Sequence, residues 1–216
     1  MRIIAVSDIH GAHARVEAVL QREAPCDLLV IAGDITTRGT AGEVESAIST
    51  LRGYGQPIVA VAGNMDPPSI DRVLEHLGVG IDGRGVLIGE AGLFGVSASP
   101  FTPFSTPYEI PEEEILRRAE KGWEMVASAR WKIFVPHAPP HGTRLDKTFS
   151  GAHVGSTAVR EFIIAHRPDV VISGHIHEAR GTDAMGATRI VNCGQAGKGE
   201  YAVVTLGENV LVETEG

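Results

Sequence analysis

Short apolar runs of strand length recur along the chain, and amphipathic stretches separate them. Five of the runs are almost wholly apolar, at residues 3–6, 28–32, 58–62, 133–135 and 170–172. The stretches between them predict helices at residues 14–22, 41–51, 112–129 and 156–166. The second of these helices begins with a Thr40/Glu43 capping box. Because buried strands alternate with helices, the pattern predicts an α/β fold.

The middle and the end of the chain have a different pattern. Short apolar segments at residues 86–88, 93–96, 188–192, 201–206 and 210–214 are separated by glycine-rich turns, which favours antiparallel or mixed pairing. Two segments are predicted to be loops, residues 97–111 with four prolines and residues 136–155 with three histidines. No repeat, low-complexity tract or linker divides the chain. We therefore expect a single domain over residues 1–216.

Composition and charge exclude several functional classes. The apolar runs are far shorter than the ~18 residues of a membrane helix, and the N-terminal run is too short for a signal peptide. A cytoplasmic protein without a membrane partner is the expectation. With 19 Lys and Arg against 27 Asp and Glu, the formal net charge is −8, so long nucleic acid is an unfavourable partner.

Cysteine usage limits the kind of metal site that the chain can build. Cys26 and Cys193 are far apart in sequence, and neither has a nearby second cysteine. This spacing indicates neither a disulfide framework nor a thiolate metal cage. Any metal ion must therefore be held by nitrogen and oxygen atoms.

The residues that follow the apolar runs have the chemistry of metal ligands. They are Asp8-Ile9-His10, Gly33-Asp34, Gly63-Asn64-Met65-Asp66, His137 and Gly174-His175-Ile176-His177. In open α/β sheets the carboxyl ends of neighbouring strands converge on one crevice, so distant residues can meet there. Each motif also has a structural interpretation, because Asp8 can cap a helix, Asn64 can form a turn and each His can be a buried hydrogen-bond partner. Their joint occurrence favours one site.

In this order the five motifs resemble the signature of the calcineurin-like metallophosphoesterases. The resemblance implies a four-layer α/β/β/α sandwich with two facing mixed β-sheets. It also implies two divalent metal ions, bridged by Asp34. Position by position, the first ion would be bound by Asp8, His10, Asp34 and His177, and the second by Asp34, Asn64, His137 and His175. A weaker likeness to the small, cyclic-phosphodiesterase-like members lies in His137-Ala-Pro-Pro-His141-Gly142 and His153-Val-Gly155-Ser156.

The ligand chemistry and the resemblance together suggest a reaction. Imidazole, carboxylate and amide ligands without thiolates suit Mn, Fe or Zn, and the sequence does not choose among them. The resemblance implies that a hydroxide bridging the two ions attacks phosphorus without a covalent intermediate. Asp8, Asp34, Asn64 and His137 would then be the catalytic residues. We expect a phosphoesterase that hydrolyses small phosphodiesters, cyclic nucleotides among them.

Met65 departs from the family pattern. Many members have a His at this position, where it protonates the leaving oxygen, but a thioether has no proton to give. This departure favours phosphodiesters and substrates with activated leaving groups. His141, His153 and His13 are candidate replacement donors, although each also suits a loop or a hydrogen bond to a ligand.

Substrate contacts and the functional class have open alternatives. Arg144 and Ser156 are candidate substrate-binding residues, but both equally suit an ordinary loop and a helix cap. The glycine-rich segment 192–197 is expected to be a turn between strands. The alternatives to a phosphodiesterase are a phosphomonoesterase, a non-catalytic scaffold on the same fold, and a nuclease. The acidic net charge weighs against the nuclease, and the intact ligand set weighs against the scaffold.

Overall fold

The computed structural model describes all 216 residues. The strands are β1 (Arg2–Val6), β2 (Leu28–Ala32), β3 (Ile58–Val61), β4 (Gly85–Ile88), β5 (Ala91–Val96), β6 (Trp131–Pro136), β7 (Val170–Ser173), β8 (Gly181–Met185), β9 (Thr188–Asn192), β10 (Tyr201–Leu206) and β11 (Val210–Glu215). The helices are α1 (His13–Glu23), α2 (Ala41–Arg52), α3 (Ile70–His76), α4 (Glu112–Met125) and α5 (Thr157–His166). None of these helices has the length and apolar character needed to cross a membrane.

The strands form two mixed sheets. The first sheet has the order β11-β10-β1-β2-β3, and the second has the order β4-β5-β6-β7-β9-β8. Parallel pairing joins β1, β2 and β3 in the first sheet and β5, β6, β7 and β9 in the second. The remaining pairs are antiparallel. The predicted α/β architecture with two mixed sheets is confirmed.

The alternation of side chains along the strands divides the core into two parts. Ile3 and Ala5 of β1 pack with residues of the second sheet, such as Ile133 and Val135, in a cluster of 19 buried residues between the sheets. Ile4 and Val6 of the same strand belong to a cluster of 37 buried residues that includes the apolar faces of the helices. Successive side chains of a strand point to opposite faces, so β1 can contribute to both parts of the core.

Most predicted elements form within a few residues of their expected bounds. The Thr40/Glu43 capping box of α2 is present. Helix α4 ends at Met125, four residues before the predicted end. Strand β8 was not expected, because it lies at a sheet edge without an apolar run.

Candidate metal centre

The loops after five strands, drawn from both sheets, bring the predicted ligand residues together. Asp8 and Asp34 follow neighbouring strands β1 and β2 of the first sheet, and Asn64 follows β3. His137 directly follows β6 of the second sheet, and His175 and His177 follow β7. These strands are parallel within each sheet, so their carboxyl ends lie at the same edge.

One group of candidate ligands surrounds Asp8. Nε2 of His177 lies 3.1 Å from Oδ1 of Asp8. Nε2 of His10 lies 4.0 Å from the same oxygen and 3.7 Å from Oδ2 of Asp34. The nitrogen and oxygen atoms of Asp8, His10 and His177 are close enough to one another to share a metal ion.

A second group of candidate ligands surrounds Asp34. Nε2 of His137 lies 2.9 Å from Oδ1 of Asn64 and 3.6 Å from Oδ1 of Asp34. The ring of His175 packs edge-on against that of His137, with the centroids 5.0 Å apart. Asp8, Asp34 and His137 form a second set with metal-binding spacing, so the carboxylate of Asp8 belongs to both sets.

The donor set fits divalent cations. Asp8 and Asp34 are buried side by side, and no Lys or Arg forms an ion pair with either carboxylate. Buried carboxylates without a cation are strongly unfavourable. The neighbouring imidazole and amide groups are ligands that suit Mn, Fe or Zn. A pair of such ions would compensate the carboxylate charge that the protein leaves unpaired.

The pKa shifts of the candidate ligands in the metal-free chain follow from this arrangement. Burial raises the pKa of Asp34, and the nearby charges of Asp8 and Asp66 raise it further. Burial would also raise the pKa of Asp8, but hydrogen bonding and charge from His177, together with His137, outweigh it and lower that pKa to about 2. Burial lowers the pKa of His137 and lowers that of His175 to about 3. Both buried rings are therefore neutral near pH 7, as metal coordination requires.

Unusual backbone conformations aim the candidate ligands at the centre. Asp8, His10, Asp34 and His175 all have positive φ angles, at 55°, 49°, 51° and 69°. Such conformations are costly for residues other than glycine and cluster at functional sites. The strain is local to the turns that reverse the chain at the strand ends.

Three glycines allow the close packing of these turns. A Cβ atom at Gly33 would overlap the ring of His137, and one at Gly63 would overlap the carboxylate of Asp34. A Cβ atom at Gly174 would overlap Ser7 and the Asp8 carboxylate. Asp34, Asn64 and His175 are each preceded in the sequence by one of these glycines. Each glycine therefore makes room for a ligand residue that a different loop contributes.

Hydrogen bonds outside the ligand set hold the turns in place. The buried Asp66 carboxylate accepts hydrogen bonds from the backbone N–H groups of Ile35, Thr36 and Gly63 and from the Thr36 hydroxyl. It thus ties the Asp34 turn to the Asn64 turn. Nδ1 of His10 lies 3.0 Å from the hydroxyl of Thr37, a contact that sequence patterns did not indicate.

Comparison with known proteins agrees with this geometry. The family model of calcineurin-like phosphoesterases matches residues 1–179. The chain belongs to this family. An uncharacterized protein of Methanocaldococcus jannaschii, MJ1162, is 33% identical over 196 residues, covering 89% of this chain and 87% of that protein.

Two solved structures share the metallophosphoesterase fold. The protein TT1561 of Thermus thermophilus has a TM-score of 0.76 at 20% identity, with 99% of this chain and 97% of that chain covered. A structure described as a novel archaeal phosphodiesterase has a TM-score of 0.58 at 14% identity, with 100% and 99% covered. At these identities the likeness concerns the fold.

In this metallophosphoesterase, His141 and His153 lie on the loop that follows His137, outside both ligand groups. Nδ1 of His153 lies 2.7 Å from Oδ1 of the buried Asp146, and Nδ1 of His141 lies 3.7 Å from Oδ2. The Asp146 carboxylate also accepts three backbone N–H groups, from Gly142, Thr143 and Gly155. Asp146 therefore organises the loop and orients the ring of His153.

The two candidate substrate-binding residues have other partners. Ser156 caps α5, and its hydroxyl donates to the carboxylate of Glu112. That carboxylate also accepts the backbone N–H groups of Thr157 and Ala158, so the helix N-terminus is not free for an anion. The guanidinium of Arg144 donates to the backbone carbonyl of Thr182 in β8. Ser156 therefore has the helix-cap role that the sequence offered as its alternative, and Glu112 occupies the amides that follow it.

The glycine-rich segment 192–197 connects β9 in the second sheet to β10 in the first. The backbone N–H groups of Ala196 and Gly197 donate to the carbonyl oxygens of Ser7 and Asp8. The segment is a connection between strands, as expected, and it also supports the backbone of the metal centre.

Proposed function

We propose that this metallophosphoesterase hydrolyses small phosphodiesters with water as the nucleophile and with two divalent ions, Mn, Fe or Zn, in the centre built by the seven candidate ligands. The observation that carries the proposal is the pair of buried carboxylates, Asp8 and Asp34, which face imidazole and amide groups and have no Lys or Arg partner. When bound, two divalent ions lower the pKa of water from about 15.7 towards 7 and stabilise negative charge on phosphoryl oxygens.

The charge of this centre suits a phosphate anion. Two divalent ions would bring four positive charges against the two carboxylates, so the centre stays cationic inside an acidic protein. Asp8 and Asp34 account for two of the negative charges in the net charge of −8, and the rest of the excess lies elsewhere on the chain. A small anion is attracted locally, whereas a long polyanion also meets the acidic surface, which favours a small substrate over nucleic acid.

Buried and hydrogen-bonded residues of this chain hold the candidate ligands in place before substrate binds. His137 and His175 present neutral rings from buried positions, and Asp66 fixes the two turns that carry Asp34 and Asn64. Because these groups are held before substrate arrives, little reorganisation is needed during the displacement. Asn64 and His137 lie within 2.9 Å of each other, and they are the side chains that we assign to contact a phosphoryl oxygen at the centre.

The preference for diesters follows from the lack of an adjacent proton donor. Met65 contributes its backbone N–H to Oδ1 of Asp34, at 2.8 Å, and its thioether cannot protonate a leaving group. Without that proton, leaving groups of low basicity react best. His153, oriented by Asp146, and His141 beside it are the candidate donors for more basic leaving groups.

The test is hydrolysis of bis(p-nitrophenyl) phosphate by protein supplied with Mn²⁺, alongside the metal-free protein. We expect metal-dependent release of p-nitrophenol that Asp34→Ala and His175→Ala abolish. His76→Ala, an exposed change at the end of α3, is the control and should hydrolyse as the unaltered chain does. Equal rates in the ligand variants and in the unaltered protein would refute the proposal.

A parallel assay with p-nitrophenyl phosphate separates the diesterase from a phosphomonoesterase, which the same centre could also support. A higher kcat/KM for the monoester would make the protein a phosphatase. Tightly bound metal without hydrolysis of either ester would favour a scaffold. Strong, salt-dependent binding of single-stranded DNA would favour the nuclease.

A further inference from the structure

A groove of about 720 Å³ opens beside the candidate ligand His10. The start of α1, one side of α2 from Gly42 to Thr50 and the loop before α2 form its walls. Those walls carry imidazole, hydroxyl and carboxylate groups, and only one of the thirteen lining residues is hydrophobic. The volume is within the range of small-ligand sites. A group attached to a phosphate at the metal centre can extend into this polar groove.

The charges of the groove select against a second anion. No Lys or Arg lines it, whereas the carboxylates of Glu17 and Glu43 do. Glu43 is engaged in the capping box of α2, and one oxygen of Glu17 accepts the hydroxyl of Tyr54. The other oxygen of Glu17 has no partner within the chain and remains an acceptor. A substituent with a second phosphate or a carboxylate would be repelled by these acids.

His13 supplies an unpaired donor to the same groove. Its Nδ1 is buried and has no hydrogen-bond partner, and its Nε2 makes no hydrogen bond within the chain either. A proton on the buried Nδ1 would lack an acceptor, so the neutral ring carries its proton on Nε2. The hydroxyl of Ser46, an exposed residue that also lines the groove, makes no hydrogen bond within the chain. The Nε2–H of His13 and the Ser46 hydroxyl are therefore free to bond to a ligand that enters the groove.

These groups offer both donors and acceptors in one polar cavity without a cation. Hydroxyl groups match this pattern, because each can accept from His13 and donate to Glu17 at the same time. An aryl or alkyl group would cover these polar atoms without bonding to them, which is unfavourable for each polar atom that it shields from water. The groove therefore favours substituents that carry hydroxyl groups and disfavours apolar or negatively charged substituents.

We propose that the groove between α1 and α2 binds an uncharged, hydroxyl-bearing substituent of the substrate, of the glycerol or ribose type, while the phosphodiester lies at the metal centre. The inference rests on the proposed function and names its substrate class. His13 is the specificity-determining donor, and Glu17 is the acceptor that also excludes anionic substituents.

The test compares three p-nitrophenyl phosphodiesters that share one leaving group. Their second substituents are glyceryl, propyl and 2-carboxyethyl. We expect kcat/KM for the glyceryl ester to exceed that for the propyl ester by about tenfold or more, which corresponds to one good hydrogen bond. The carboxyethyl ester should be the poorest substrate. Equal kcat/KM for the glyceryl and propyl esters would overturn the proposal.

Variants of the groove assign the preference to residues. His13→Ala should bring the glyceryl-to-propyl ratio close to one, and His13→Gln, which keeps a donor, should restore part of it. Glu17→Lys should raise the relative rate of the carboxyethyl ester. Glu45→Lys is the control, because it makes the same charge change at an exposed position of α2 outside the groove. It should leave the relative rate of the carboxyethyl ester unchanged. An unchanged ratio in His13→Ala would refute the role of His13.

A binding measurement separates this inference from the proposed function. Calorimetry with glycerol 3-phosphate and with inorganic phosphate reports on the groove whether or not any ester is hydrolysed. Tighter binding of glycerol 3-phosphate, lost in His13→Ala, supports the groove even if hydrolysis fails. Equal binding of both probes contradicts the groove, even if bis(p-nitrophenyl) phosphate is hydrolysed.

Discussion

Nδ1 of His137 lies 2.8 Å from the backbone carbonyl oxygen of Ala32. Because a carbonyl oxygen can only accept, Nδ1 carries the ring proton, and Nε2 presents a lone pair to Asn64 and Asp34. Ala32 ends β2 in the first sheet and His137 follows β6 in the second. This single hydrogen bond therefore joins the two sheets and fixes the tautomer that a metal ion requires.

Replacing His137 should remove metal as well as activity. We expect His137→Ala to bind less metal than the unaltered protein and to lose at least about 100-fold in kcat/KM, since loss of a mere hydrogen-bond partner of a ligand already costs about 10- to 100-fold. Metal content by mass spectrometry and hydrolysis of bis(p-nitrophenyl) phosphate are the measurements. His76→Ala is the matched control. Full metal content in His137→Ala would show that this ring is not a ligand.

The glycine before His175 provides a test of backbone packing. A methyl group at position 174 would overlap Ser7 and the carboxylate of Asp8, so Gly174→Ala should displace the Asp8 turn and weaken metal binding. Gly42→Ala is the control, because a Cβ atom there meets nothing within 4 Å and the residue is helical. This control should gain about 0.5 to 1 kcal/mol in unfolding free energy. Calorimetric titration with Mn²⁺ and thermal unfolding measure the two effects.

The positions of the candidate ligands could be predicted because the chemistry follows the strands directly. Asp8, Asp34, Asn64 and His137 each lie within a few residues of a strand end, and parallel strands bring such ends together. Strand β8 could not be foreseen, since the sequence Gly181–Met185 has no apolar alternation and pairs only at the sheet edge. Its pairing depends on β9, which must already be in place.

Contacts between distant loops also could not be predicted from sequence patterns. The hydrogen bond between His137 and Ala32 spans 105 residues, and it depends on how the two sheets face each other. Glu112 accepts the first amides of α5 from a position 45 residues away from Thr157. Ser156 therefore had the pattern of a free helix N-terminus, although another helix supplies the negative charge. Such relationships are set by packing and carry no local signal.

A largely buried acid away from the metal centre predicts a pH dependence of stability. Burial, and then the charge of Asp82, raise the pKa of Asp71 to about 6, although Ser97, Tyr108 and Arg118 act in the opposite direction. The folded chain thus holds this proton more tightly than the unfolded chain, where the pKa is about 3.9. Its stabilising contribution is full below about pH 3.9 and is lost as the pH rises through about 6.

Asp71→Asn should remove this part of the pH dependence. Relative to the variant, the unaltered protein should lose on the order of 2 kcal/mol of unfolding free energy between pH 4 and pH 7. Urea unfolding at several pH values measures the difference, and pH effects from the metal centre cancel between the two proteins. Parallel stability profiles for both proteins would contradict the raised pKa.

The leaving-group dependence of hydrolysis tests whether His153 supplies a proton. Asp146 holds Nδ1 of His153 at 2.7 Å, which leaves Nε2 as the exchangeable donor. If it protonates the leaving oxygen, His153→Gln should lose about 10² to 10⁴ in kcat for an alkyl leaving group but little for p-nitrophenolate, which needs no proton. His141→Gln gives the same comparison for the neighbouring ring, whose centroid is 5.9 Å away. Equal losses for both leaving groups would instead assign His153 to the structure of its loop.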